Sequence, residues 1–361
     1  MPKKLSLKVI LLLPLVALTL SGCGLTVTST GSSGAGSGGA TDGGVFKSTN
    51  KGNNWQQQVS IQTVGRARNF AAVDVNALVL DPGDNQAIYA GSVANGLFYS
   101  YDSAASWQAA AGLSAATIND VAVDPKNKCV IYLALDNKVL KSADCNRTLS
   151  GVYFDNDLTV EITALAIDLA NSNNVFIGTS RGEIIKSSDA GLSWRTLNRF
   201  NGQVDKIAVN PFDAKIMFVG TDAKGVFRTM DAGASWVSLA DKLKAFDNTL
   251  RFCDLVLAKE EKTNVFLATT YGLLKSTDDG DSWSKLELIM PEKDAKINAL
   301  AVNPANAKEI YYVTNTTFYR SLDGGKNWTS KKLPTNRAGS AILIDPKDSA
   351  IIYLAAKKAK N

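Results

Sequence analysis

One eight-residue pattern recurs seven times and constrains the fold of this chain more than any other feature. The pattern, S/T-x-D-x-G-x-x-W, begins at Ser48, Ser100, Ser142, Ser187, Thr229, Ser276 and Ser321, at spacings of 52, 42, 45, 42, 47 and 45 residues. Four copies are complete, ending at Trp194, Trp236, Trp283 and Trp328. The first has Asn50 for Asp, the second keeps Asp102 but has Ala104 for Gly, and the third keeps Asp144 but has Asn146 for Gly and Leu149 for Trp. With Trp55 and Trp107, all six tryptophans of the protein stand at the eighth position of a copy. A period of this length marks a repeat architecture in which each unit buries its apolar face against the next.

Each copy lies inside a longer unit. In the last complete one, Ala299 to Pro304, Glu309 to Val313 and Phe318 to Ser321 precede the Trp. Such apolar or alternating runs, cut by Asp-Pro, Asn-Pro and Gly turns, read as strands. With the strand that starts at each Trp, a unit of about 45 residues holds four strands, which is a propeller blade. At the N-terminal end, Val45 to Ser48 and the strand from Trp55 supply a third and a fourth strand only. At the C-terminal end, Ala341 to Pro346 and Ile351 to Leu354 supply a first and a second. The expected fold is therefore all-β: a seven-bladed β-propeller of four-stranded blades, over 45–361, closed in one blade by strands from both ends.

The pattern resembles the Asp-box, or BNR repeat, and the resemblance covers the chain from residue 45 onward. It implies a structural role for Asn50, Asp102, Asp144, Asp189, Asp231, Asp278 and Asp323. Each would accept hydrogen bonds from the backbone of a hairpin turn, while Gly takes a positive φ and Trp packs into the sheet. In families that carry the box it lies away from the ligand face.

Residues 1–22 read as an export signal, in which a basic stretch to Lys8 precedes an apolar run from Val9 to Leu20. The run is too short for a stable membrane span. It ends in Leu20-Ser21-Gly22-Cys23, which resembles a bacterial lipobox. The resemblance implies a diacylglycerol on Cys23 and a mature chain held on the cell membrane or, with Gly24 after the Cys, the outer membrane. Residues 23–44 are almost entirely Gly, Ser, Thr and Ala, the composition of a flexible tether.

Composition removes several chemistries. The chain has no His, so His-based triads, Cys-His dyads and His-ligated metals are excluded. The formal charge is +5, and without Lys3, Lys4 and Lys8 it is 36 basic against 34 acidic residues, too little to imply nucleic acid. No metal or other cofactor is expected. Of the four cysteines, Cys129 and Cys145 flank a predicted hairpin that turns at Asp136-Asn137. Pairing Leu135 with Lys138 brings the two sulfurs within bridging range, in the repeat that lost its box Gly and Trp. Cys253 is left over on a predicted inner strand, where a buried structural thiol is expected.

Function is then expected on the face opposite the boxes. Its segments hold Arg66, Arg68, Phe70, Arg181, Arg199, Phe200, Lys224, Lys242, Phe246, Arg251, Tyr271 and Arg337, with Asp155, Asp157 and Asp247. Of these, Arg66, Arg68, Phe70, Arg181, Arg199, Phe246, Arg251, Tyr271 and Arg337 are the candidate binding set, with Arg66, Arg68, Arg199, Phe246 and Arg251 expected to form one surface around the central channel. Arg with aromatics suits a protein-binding or anion-binding surface; the other reading is a solvated rim.

Several box-bearing families resemble the chain and imply different functions. Sialidases use an arginine cluster and a Tyr-Glu pair, but the Arg-Ile-Pro motif that precedes their first box is absent. Xyloglucan-active endoglucanases use two Asp residues in a cleft between two propellers, and one ring is read here. Size, lipobox and blade number are most similar to cyanobacterial photosystem II assembly factors, with the larger sortilin-type ring sharing the box. The expectation is a non-enzymatic, monomeric scaffold anchored in the cell envelope that captures a membrane-associated protein or peptide. The alternative is a glycoside hydrolase or carbohydrate-binding ring; all six Trp being committed to boxes weighs against it.

Overall fold

A computed structural model describes residues 41–259, 263–290 and 296–359. The export signal, Cys23 and the tether up to residue 40 lie outside the described residues.

Seven four-stranded antiparallel sheets form within these residues, together with one two-stranded hairpin and a single short helix, Ala240–Leu243. In chain order, blade 1 occupies 75–109, blade 2 120–154, blade 3 162–199, blade 4 204–238, blade 5 252–286 and blade 6 299–332. Blade 7 takes its first two strands, Ala338–Ile344 and Ile352–Lys357, from the C-terminal end. Its last two, Gly44–Ser48 and Gln56–Gln57, come from the N-terminal end. The seam is antiparallel, with Gly44 opposite Ala356 and Ser48 opposite Ile352. The first strands of successive blades touch in cyclic order, and that of blade 7 touches that of blade 1, so the ring is closed. This is the seven-bladed propeller expected from the repeat.

The core sits between blades. Seven apolar clusters fill the seven interfaces, each built from two neighbouring blades. Between blades 6 and 7, for example, Tyr311 and Phe318 pack against Ile342 and Leu354. Apart from Asn306 and Lys308 in blade 6 and Lys357 in blade 7, the second strands are buried where described, which is why they read as largely apolar runs such as Val-Phe-Ile-Gly-Thr at Val175–Thr179.

The boxes act as their chemistry requires. In blade 3 the Ser187 hydroxyl accepts the Gly191 N–H at 2.8 Å and donates to Asp189 Oδ1 at 2.7 Å. Asp189 then accepts the Ser193 N–H at 2.8 Å and the Ser193 hydroxyl at 2.5 Å. Hydrogen bonds from Ser193 hold its carboxyl down at about 2, and Asp231 is held there in the same way by Ser235. Thr148 does the same for Asp144, and Asn327 for Asp323. The fourth and fifth box positions are both left-handed, as at Ala190 (φ 59°) and Gly191 (φ 97°). Copies that lost the Gly keep this backbone, with Ala104 at φ 68° and Asn146 at φ 66°.

The tryptophans differ from the expectation that they fill the sheet core. Trp107 is fully buried, whereas the other five are half-buried and bridge blades. Trp194 Nε1 donates to the Val152 carbonyl of blade 2 at 2.8 Å, and Trp328 Nε1 to the Glu287 carbonyl, just past blade 5, at 2.8 Å. In blade 2, Leu135 pairs with Lys138 as expected, and Cys129 and Cys145 are joined by a disulfide. Cys145 is the fourth box residue, whose N–H bonds Cys129 O; Ala190 with Asn173 and Ala232 with Lys215 repeat that bond without a bridge.

Candidate binding surface

Two sets of backbone bonds define the faces of the ring. In all blades but the fifth, whose first turn lies outside the described residues, the box turn is bonded at the first turn of its own blade, as Ser103 N to Gln86 O and Ala232 N to Lys215 O, so these turns share one face. On the opposite face, turns between second and third strands bond the segments that link blades, as Gly96 N to Ala116 O and Gly225 N to Leu250 O. The candidate residues fall in these loop-face segments or at the strand ends beside them. They do not form one continuous set there but divide among several local environments.

Arg181 and Arg199 share a buried carboxylate that sequence reasoning missed. Glu183 opens the third strand of blade 3 with its side chain 2% exposed, accepting Arg181 Nη2 at 2.6 Å and Arg199 Nε at 2.7 Å. Arg181 Nη2 also reaches Asp155 at 3.0 Å, and the Tyr153 hydroxyl donates to the same carboxylate at 3.3 Å. Burial, then the Asp155 charge, pushes the Tyr153 hydroxyl up to about 12. The two guanidiniums are thus held by a carboxylate beneath them while Arg199 remains largely exposed.

Phe246, Arg251 and Tyr271 lie together where the chain enters blade 5. The long segment before that blade forms the helix Ala240–Leu243, anchored by buried Leu243, and then returns over the loop face. Phe246 meets the Tyr271 ring at 5.3 Å. Phe246, Lys244, Asn248 and Arg251 line a cavity of about 540 Å³. Tyr271 is buried in the interface between blades 4 and 5 and is not an exposed contact as expected.

Phe70, Phe200 and Arg337 also depart from the expectation. Phe70 is buried, stacked on Phe98 at 4.5 Å and edge-on to Trp107 at 5.3 Å. Phe200 repeats this in blade 4, edge-on to Trp236 at 5.2 Å. An aromatic in the segment before a blade therefore completes the packing of that blade's box Trp, which removes it from the surface. Arg337 is 5% exposed and fastens the ring seam. Its Nη1 reaches Asp74 at 2.6 Å, its Nη2 the Ala72 carbonyl at 2.9 Å and its Nε Asp42 at 3.3 Å. Arg66 and Arg68 are exposed on a hairpin, Ser60–Ile61 with Arg68–Asn69, that the sequence did not reveal.

The central channel holds polar residues that, Cys253 apart, have no place in the sequence-based expectations. Register shifts at the start of the first strands leave Asn76, Thr163, Asp205, Cys253 and Ser340 as bulged positions. With Asn119 and Asn298 they line a cavity of about 440 Å³. A polar residue at the second position of an otherwise apolar first strand, as in blades 1, 3 and 4, was the available signal. Most of these side chains stitch one blade to the next: Thr163 Oγ1 donates to Val204 O at 2.6 Å and Ser340 Oγ to Val75 O at 2.7 Å. Asp120 accepts Val121 N–H and Leu165 N–H, each at 2.8 Å, and burial raises its carboxyl to about 6. Asp254 likewise accepts the Leu300 N–H and pairs with Lys206. Cys253 is a free, half-buried thiol, pushed up to about 11 by burial and then by Asp254 and Asp205.

No protein-family model matches the chain, and no curated protein matches it in sequence. Solved structures match the fold well. The GH74 enzyme of Niastella koreensis aligns with a TM-score of 0.63 at 17% identity, over 83% of this chain and 53% of that one. The GH74 xyloglucanase of Xanthomonas campestris aligns at 0.64 and 18%, over 79% and 51%. YCF48 bound to D1 peptide aligns at 0.60 and 13%, over 82% of this chain and 99% of that one. The chain spans about half the length of the two GH74 structures. At these identities the shared property is the fold, a seven-bladed β-propeller found both in glycoside hydrolases and in a peptide-bound protein.

Proposed function

We propose that this protein is a non-catalytic scaffold, tethered to a bacterial envelope membrane through Cys23, that takes a peptide segment of a partner on its loop face. The observation that carries this reading is the cavity beside blade 5. Phe246 supplies an apolar aromatic wall, and Lys244 and Arg251 have no acidic partner among the described residues. An aromatic wall with adjacent cations suits a peptide carrying one apolar and one acidic side chain. Arg181 and Arg199, held from below by Glu183, supply further preorganised donors on the same face. The YCF48 structure, a ring of this fold with a peptide bound, agrees with such use.

The test is photo-crosslinking from position 246 in detergent-solubilised membranes. A partner peptide should be captured, and Lys244→Gln with Arg251→Gln should abolish its capture without lowering the melting temperature. Equal capture by that variant would refute the site. Cys23→Ser should release the protein from the membrane fraction or leave the precursor uncleaved. An unchanged lipid-labelled mature form would refute the anchor.

One observation favours glycoside hydrolysis as a second reading. The channel holds two carboxyl groups in unlike environments, Asp120 raised to about 6 and Asp254 paired with Lys206, and such a split is what a general acid and its partner need. Both are, however, engaged by backbone N–H groups of the neighbouring blades. Release of sugar from xyloglucan, lost in Asp120→Asn, would replace the scaffold reading with this one.

A further inference from the structure

We propose that the tip of the hairpin between blades 7 and 1 docks on an anionic phospholipid surface, so that the ring meets the membrane on a defined side. This rests on the anchor reading above, and concerns residues to which that reading gives no role.

The hairpin is built onto the ring. Ile61 bridges Trp107 in parallel, the Gln62 N–H donates to Trp107 O at 2.8 Å, and the Trp107 N–H to Ser60 O at 2.9 Å. Gln62 Nε2 adds a bond to Ser106 Oγ at 2.6 Å, and Phe70 roots the return strand in the core. The outer strand of blade 1 runs from the box face to the loop face, so a segment parallel to it delivers its tip to the loop-face end. At that tip Val64 is fully exposed, and Gly65, at φ +99°, has open space around it. Arg66 and Arg68 are exposed and have no ion pair among the described residues.

Charge and attachment choose the occupant. The hairpin from Ser60 to Asn69 contains Arg66 and Arg68 and not one Asp or Glu. The chain from the tether joins the ring beside this hairpin: Gln57 Nε2 bonds Thr41 O and Gly43 O, and the Gly43 and Gly44 N–H groups bond Ala71 O and Val73 O. Cys23 lies 18 residues before Thr41, a length that a Gly-rich coil spans with an r.m.s. distance of about 23 Å. An apolar side chain flanked by two guanidiniums, at the root of a lipid tether, matches the boundary between acyl chains and phosphate headgroups. Guanidinium pairs bidentately with phosphate. One valine adds little, so the arginines should dominate and the contact should depend on anionic lipid and on salt.

The experiment places an environment-sensitive dye on Val64→Cys in a Cys253→Ser background of the full chain, with the unsubstituted background as blank. The protein is reconstituted into phosphatidylcholine vesicles with or without about 30% phosphatidylglycerol. A blue shift with phosphatidylglycerol and none without it is expected. Arg66→Gln with Arg68→Gln should weaken the response about 30-fold, from about fivefold per arginine, and 0.5 M salt should suppress it. An identical spectrum in both vesicles overturns the proposal. So does an equal shift produced by soluble polyglutamate, which would make the tip a site for acidic protein. Flotation with the vesicles reads the anchor separately. A chain that floats without a dye response loses only the hairpin contact, whereas a chain that never floats and never responds loses both.

Discussion

Replacing Arg337 by Ala is the substitution that best separates a structural arginine from a binding one. The guanidinium joins three stretches of chain at the seam, reaching Asp42 before the N-terminal strand, Ala72 and Asp74 before blade 1, and its own position before the last two strands. The side chains of Asp42 and Asp74 are only 27% and 21% exposed. Removing the cation leaves two partly buried carboxylates with only neutral donors, the Asn336 N–H on Asp42 and the Lys358 N–H on Asp74. Breaking a buried pair typically costs 3–5 kcal/mol, and the residual exposure of both acids puts this one near the lower end, about 3 kcal/mol. That is a large share of a typical domain's stability of roughly 5–15 kcal/mol. With an unfolding entropy of about 2.1 cal/mol/K per residue over roughly 300 residues, the melting temperature should fall by about 5 °C. Arg337→Lys should recover part of the loss, since an ammonium can meet one carboxylate but cannot span both acids and the Ala72 carbonyl. Urea and thermal unfolding followed by tryptophan fluorescence would read these differences. Unchanged midpoints for Arg337→Ala together with lost partner capture would refute the seam argument and return Arg337 to the binding surface.

Three further outcomes follow from the boxes and the bridge. Reducing the Cys129–Cys145 disulfide, or replacing both residues by Ser, should cost about 3 kcal/mol for a loop of this length; an unchanged denaturation midpoint would show that the bridge adds nothing to blade 2. Trp194→Ala should cost about 2 kcal/mol, below the 3–5 usual for a fully buried Trp, because the ring is half-buried; a loss above 4 kcal/mol by urea titration would mean that Trp194 carries the interface of blades 2 and 3 alone. The carboxyls of Asp144, Asp189, Asp231 and Asp323 are held at about 2, below their ordinary value of 3.8. Groups with depressed folded values stabilise above the unfolded value and lose that contribution as pH falls through the folded one. Stability should therefore decline between about pH 4 and pH 2, less steeply in Asp189→Asn, and parallel profiles would refute the assignment.

Blade count, closure and box chemistry were legible in the sequence because each is written in residues close along the chain. A box is complete within eight residues, a blade within about 45, and the half-units at the two ends of the ring complement each other whatever the side chains around them do. The Cys129–Cys145 pairing was legible for the same reason, since a single hairpin fixes its register.

What only the tertiary structure decided is which loop residues face solvent. Phe70, Phe200 and Tyr271 have the composition of a binding surface, yet they are buried because box tryptophans and a neighbouring interface need aromatic partners there. Arg337 meets Asp42 and Asp74 across separations of 295 and 263 residues, and no local pattern marks such a meeting. Glu183 lies two residues from Arg181, but its burial and its second partner Arg199 depend on how the outer strand of blade 3 returns. The hairpin at 60–69 was hidden because its strands are two residues long with Ile61 as their one apolar residue, and it is held by Trp107 of the next blade more than by any periodicity of its own. Hydrophobic periodicity is a local property and specifies the strands. Exposure, charge pairing and the shape of the loop face are set by contacts between blades, which exist only once the ring has closed.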